Sequence, residues 1–176
     1  MRFTAAGTAT GLTLIELLVV MAISAILMGV AAPSLRDWIS RRAGDSAAAA
    51  LTADFRFARS ESIKRSDFVT ICRSSDGSSC ESKQGDSWHS GWIVFVDRKL
   101  TGKDATDGIL LRVQGALPWV DEIKPSNFTG VTFAPNGTAS GAAGNLLVDP
   151  AGPKGEVILC LAMNGRLQAR PGQSAC

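Results

Sequence analysis

A chain of 176 residues suits one domain plus an accessory segment and excludes two full domains, since each needs on the order of 100–150 residues for a core. Its formal charge is +2, with basic and acidic side chains spread along the sequence, which excludes a broad electrostatic footprint for nucleic acid. The cysteines, at 72, 80, 160 and 176, lack zinc-site spacing and companion histidines, so they read as disulfides made in an oxidising compartment. Three pairings are open, and the short local loops favour Cys72–Cys80 with Cys160–Cys176.

The first element is apolar. Leu12 to Ala32 has about the 20 residues that a bilayer-spanning helix needs, and Glu16 is its one charged side chain. A carboxylate at bilayer depth costs at least ~2.5–3.5 kcal/mol unless paired, so this one needs a chemical reason. An ordinary cleaved secretory signal fits poorly. The leader, Met1 to Gly11, carries only Arg2 as a charged side chain, Glu16 interrupts the apolar core, and Pro33 follows the nearest small-residue site, Val30-Ala31-Ala32.

Gly11-Leu12-Thr13-Leu14-Ile15-Glu16 resembles the class III signal of type IV pilins, in which Gly precedes Phe-Thr-Leu-Ile-Glu. The resemblance implies that a prepilin peptidase cuts after Gly11 on the cytoplasmic side and that Leu12 becomes the N-methylated amino terminus. It also implies that Glu16 meets the terminal amine of a neighbouring subunit, which supplies the charge its burial demands. Leu12 stands where the family usually has Phe. Arg36, Arg41 and Arg42 follow the span whereas Arg2 alone precedes it, so the positive-inside rule taken by itself would reverse the orientation. The cleavage motif and the cysteines outweigh that tally and place the head in the periplasm, tethered to the inner membrane.

Beyond the span, residues 33–65 read as a continuing amphipathic helix that ends near Ile63 or Lys64. Leu35, Ile39, Ala47, Leu51, Phe55 and Ala58 recur at three- and four-residue intervals, as a core-facing stripe requires. Pro33 is expected to kink this helix, and Gly44 to weaken it by ~1 kcal/mol relative to Ala.

From 66 to 176 the period changes to short apolar runs separated by turn residues, which predicts an antiparallel sheet. The candidate strands are Phe68–Cys72, Trp92–Asp97, Ile109–Gln114, Gly130–Phe133, Asn145–Val148, Glu156–Met163 and Arg166–Arg170. Asp76-Gly77, Asp107-Gly108, Asn136-Gly137 and Asn164-Gly165 supply tight turns, the last being the clearest hairpin. Gly141 to Gly144 and Asp149 to Pro153 read as surface loops. The predicted fold class is therefore α+β, a long N-terminal helix packed against an antiparallel β head.

Three segments extend the resemblance. Arg59-Ser60-Glu61-Ser62-Ile63-Lys64-Arg65, Gly91-Trp92-Ile93-Val94-Phe95-Val96-Asp97 and Phe133-Ala134-Pro135-Asn136-Gly137 are similar to segments of the GspH/FimT branch of pilin-like proteins. That resemblance implies a helix wrapped by two sheets or by one strongly bent sheet. It further implies other pilins or pseudopilins as partners and processing by prepilin peptidase.

Enzyme chemistry finds little support. Gly85-Asp86-Ser87 has the look of a hydrolase turn, but His89 is two residues away where such enzymes draw their base from a distant segment; Trp88 reads as covering a core edge. Asp97, Asp104 and Asp107 lack the spacing of a calcium loop, and no Gly-Lys-Ser/Thr follows Gly141 and Gly144, so no metal or cofactor is expected. Gly165-Arg166-Leu167-Gln168-Ala169-Arg170 partly matches the Gly-Arg-x-Arg signature of DNA-binding members of the family. Gln168 holds the second arginine's place, while Arg170 returns to the face of Arg166 by alternation. Arg166 and Arg170 are thus candidate phosphate contacts on DNA, against the plain reading that they solubilise an edge strand. The leading expectation is a minor pilin. A type II secretion pseudopilin and a tethered periplasmic binding domain that never polymerises are the alternatives.

Overall fold

The computed structural model describes residues 13–81, 87–100, 108–126, 128–140, 143–152, 154–173 and 175–176, with backbone alone for 30–34. A single long helix opens the fold. α1 runs Leu14–Arg65, and nine strands follow: β1 (Val69–Arg73), β2 (Trp92–Val96), β3 (Ile109–Gln114), β4 (Val120–Pro125), β5 (Gly130–Phe133), β6 (Ala139–Ser140), β7 (Gly144–Pro150), β8 (Val157–Leu161) and β9 (Leu167–Pro171). The chain divides into a unit up to Arg36 and a second unit, Asp37–Cys176.

In the first unit Leu14, Ile15, Leu17, Leu18, Val19, Val20, Met21, Ile23, Ile26, Leu27 and Met28 are all exposed, so this part of α1 is apolar on every side. A helix of that kind is one that another apolar phase or another chain covers. Among the described residues no helix is long and apolar enough to cross a membrane. The span expected over 12–32 has described side chains only from 13 to 29. The helix runs without a break through Pro33.

In the second unit the expected stripe packs only from Ser40 onward. Ala47, Ala48, Leu51, Phe55 and Ala58 are buried, whereas Ile39 is exposed, as is Leu35 in the first unit. Periodicity fixes which residues share a face but not how far along the helix that face is covered. Two sheets do the covering, ordered β3-β2-β1-β5-β6 and β4-β7-β8-β9, every pairing antiparallel. Val69, Ile71, Trp92, Val94 and Phe133 from the first sheet and Ile123, Leu146, Val148 and Leu159 from the second join the helix stripe in one core. Each such side chain contributes about 1.5–3 kcal/mol by leaving water.

The aromatic residues set the centre of this core. Phe55 on α1 stacks on Trp88 with ring centroids 6.1 Å apart and meets Phe133 edge-on at 6.3 Å, while Phe128 meets Trp88 edge-on. Trp88 sits in a 3-10 turn, Trp88–Ser90, and is fully buried in the core rather than capping its edge. Gly44 has a packing reason: a Cβ there would lie 2.2 Å from the Gly155 carbonyl oxygen, so only glycine lets α1 approach this loop.

Candidate functional site

At the start of α1, Thr13 and Glu16 are reciprocal partners. Thr13 N–H and Oγ1–H donate to Oε2 of Glu16 at 3.3 and 3.4 Å, and Glu16 N–H donates to Thr13 Oγ1 at 3.3 Å. This is a capping box, in which a Thr and the Glu three residues on satisfy each other's orphan donors at a helix N-terminus. The Thr-x-x-Glu spacing is itself the sequence signature of such a box. The carboxylate is exposed and sits where the helix dipole favours a negative charge. Gly11 and Leu12 lie outside the described residues.

The second cluster joins α1 to two turns. Arg59 Nε donates to the Gly137 carbonyl at 3.0 Å. Gly165, at φ 74°, packs so closely that a Cβ would meet the Gly137 oxygen at 2.3 Å and Arg59 Nε at 3.2 Å. The helix guanidinium therefore fastens the Asn136-Gly137 turn to α1, and the Asn164-Gly165 turn packs beside both, so segments far apart in sequence meet here.

Arg166, just ahead of β9, and Gln168 and Arg170 on it alternate onto one face, and all three line an open cavity of about 380 Å³ walled by the Cys160–Cys176 bridge. Turned to satisfy both its polar atoms, the Gln168 amide accepts Nε and Nη2 of Arg166 at 3.3 and 3.2 Å through its oxygen. Gln168 thus braces the first arginine. Arg166 also lines a neighbouring cavity of about 450 Å³ with Arg56 and Arg59, basic helix residues that the sequence reading had not joined to it. Their contribution depends on the sheet bringing β9 beside α1, which no local spacing encodes.

Other polar groups of the head have structural partners. Cys72 is bonded to Cys80 and Cys160 to Cys176, with Cα atoms 5.6 and 5.7 Å apart. Inside the first loop the Ser79 hydroxyl, the Ser79 and Ser78 backbone N–H groups and the Ser74 hydroxyl hold the Asp76 carboxyl well below the usual carboxylate range. On α1 the Arg65 guanidinium, 2.5 Å from Glu61, lowers that carboxyl in the same way, with Lys64 adding to it. Burial, then Glu156, Asp121 and Glu122, push Asp149 up. Asp97 is buried and accepts the Thr70 hydroxyl at 3.1 Å, while Asp104 and Asp107 lie outside the described residues.

Ser87 Oγ accepts the Ile123 and His89 backbone N–H groups at 2.7 and 3.3 Å and lies 2.7 Å from His89 Nδ1. It fastens the 3-10 turn to β4. Gly85 and Asp86 lie outside the described residues. Among the described residues no group of His, Cys, Asp and Glu side chains is placed to hold a metal ion.

Comparison with known proteins agrees with this architecture. Residues 8–32 match the prokaryotic N-terminal methylation motif and residues 47–165 match the family described as type II transport protein GspH. The pilin-like protein PilA1 of Thermus thermophilus is 36% identical over 91 residues, 52% of this chain; the chain spans about half the length of that relative. The minor pilin FimU of Pseudomonas aeruginosa superposes in two crystal forms with TM-scores of 0.59 and 0.55, at 22% and 23% identity. These cover 79% and 75% of this chain and 96% of FimU, a likeness of fold. With a methylation motif over 8–32 and a helix whose later half packs against a two-sheet head, the chain belongs to the GspH/FimT family of type IV pilin-like proteins.

Proposed function

We propose that this chain is a minor pilin, a structural subunit that enters a pilus fibre at its tip or initiation complex. The observation that carries the reading is the order of parts: a methylation motif over 8–32, an apolar helix exposed on all sides, then a disulfide-bonded head. In this reading 1–11 is the leader, 12–32 spans the inner membrane, 33–65 is the amphipathic half of the helix and 66–176 is the periplasmic head. Prepilin peptidase cuts between Gly11 and Leu12, and the Leu12 amine is methylated. Glu16 then holds its charge between two demands, its own helix cap and the terminal amine of a neighbouring pilin. The Thr13–Glu16 geometry supports this by showing the carboxylate already aimed at the start of the helix. Glu16→Ala tests it: pilus assembly should fall while the head still folds, and normal fibres from the variant would reject the role.

The family match favours a second machine, a type II secretion system, where the same parts would serve a pseudopilus. Restoration of secretion rather than piliation in a strain lacking the chain would select that reading. The shared cavity of Arg166 and Arg170 favours an added DNA-capturing role, because two arginines on one face grip phosphates without reading bases. A mobility shift at low salt that is lost in Arg166→Ala and Arg170→Ala supports it. No wild-type shift at micromolar protein rejects it.

A further inference from the structure

β9 is one of the two edge strands of the second sheet, β4 being the other. Ala162 N–H donates to the Arg166 carbonyl and Gly172 N–H to the Glu156 carbonyl, so residues 166, 168, 170 and 172 turn their backbone groups toward β8. Strand alternation then aims the N–H and C=O of Leu167 and Ala169, and the C=O of Pro171, away from the sheet. Because β9 pairs with β8 alone, none of these has a backbone partner among the described residues. Beside this edge lies a trench rather than flat surface. Three open cavities of about 680, 340 and 450 Å³ follow one another between α1 and β9, the first two sharing Asp45 and Pro171 and the last two sharing Arg56.

From Arg41 to Ile63 the α1 wall is roughly 33 Å long at 1.5 Å per residue, the reach of about ten extended residues. Ala49 and Ala53 on the α1 wall are exposed and small enough for another strand to lie over them. Thr52 Oγ1, lining the middle cavity, is buried without a hydrogen-bond partner.

We infer that this trench is a docking site for an extended, acidic polypeptide segment of another subunit, which adds a strand to the free edge of β9. The backbone edge selects the strand conformation, because only an extended chain matches alternating donors and acceptors. Charge selects the composition. Arg56, Arg59 and Arg166 line one end; no ion pair engages Arg56 or Arg166 among the described residues, and Arg59 spends only its Nε on a carbonyl. Pro171 removes one outward donor at the far end, which limits the edge to a short pairing and guards against open-ended aggregation.

The test uses the full mature chain in detergent micelles and three fluorescein-labelled peptides of about nine residues, alternating Val and Ser, with acidic, neutral or basic ends. The acidic peptide should bind about tenfold tighter than the basic one and protect the Leu167 and Ala169 amides from hydrogen exchange. Ala169→Pro removes an outward N–H that the sheet does not use, so binding should fall about tenfold with the unfolding midpoint unchanged. Arg56→Glu, on the exposed helix surface, should shift the preference toward the basic peptide. The inference is overturned if no peptide binds below about 1 mM, if the three bind equally, or if both variants bind as wild type. It is equally overturned if a DNA oligonucleotide protects those amides while the acidic peptide leaves them exchanging freely.

Discussion

The indole N–H of Trp92 donates to Oδ2 of Asp54 at 2.7 Å, and the guanidinium of Arg112 closes on the other carboxylate oxygen. One buried carboxylate on α1 therefore ties the helix to β2 and β3, while Arg112 lies over the Phe57 ring at 4.1 Å. Asp54→Ala leaves a buried indole donor unsatisfied and removes a charge-assisted bond, so stability should fall by about 2–3 kcal/mol. Arg112→Ala should cost less, because its side chain is partly exposed and solvent screens the pair. Urea unfolding followed by tryptophan fluorescence checks both.

The Arg59 clamp should behave as a joint between distant segments. Arg59→Ala removes a bond from a charged donor to a carbonyl and should cost about 1–2 kcal/mol. Hydrogen exchange should rise at both Asn-Gly turns, 136–138 and 164–166, and not in β2. Gly165→Ala should be the more damaging change, since it meets both a positive φ and the Gly137 oxygen.

Much of this head was legible because its strands are marked by local chemistry. Runs such as Trp92–Val96 and Val157–Leu161 are apolar and bounded by turns, and the Asn164-Gly165 hairpin joins β8 to β9 as its residues demand. β4, Val120–Pro125, was not legible: it is an edge strand whose Asp121 and Lys124 are exposed, so its pattern resembles a loop. The split into two sheets rests on the β1–β5 and β4–β7 pairings, which join segments that are not consecutive strands. In the candidate site the Arg166–Arg170 alternation could be read, while Arg56 and Arg59 entered only through tertiary packing.

The two disulfides close loops with sequence separations of 8 and 16. Chain entropy assigns each about 2–3 kcal/mol, the larger to the longer loop. Reduction should therefore lower the thermal midpoint, and Cys160→Ala with Cys176→Ala should lower it more than Cys72→Ala with Cys80→Ala. Calorimetry of the two double variants measures the difference.

The pH response separates two carboxylates. Asp149 has a folded pKa raised by burial and by Glu156, Asp121 and Glu122, so its ionised form works against the fold at neutral pH. Asp149→Asn should stabilise the protein at pH 7, with the gain vanishing below the unfolded carboxylate range, where wild type is protonated as well. Asp76 has the opposite sign. Its lowered pKa contributes stability above the unfolded value that is lost as pH falls through the folded one, so Asp76→Asn should destabilise at pH 7 and cease to matter in strong acid. Urea midpoints across pH 3 to 8 should show the two curves diverging in these directions.

The most direct test of the pilin reading is mass spectrometry of the protein purified from its own membranes. The account predicts an amino terminus at Leu12 bearing one methyl group, with residues 1–11 gone and both disulfides intact. A retained leader, or an amino terminus at any other residue, would contradict it.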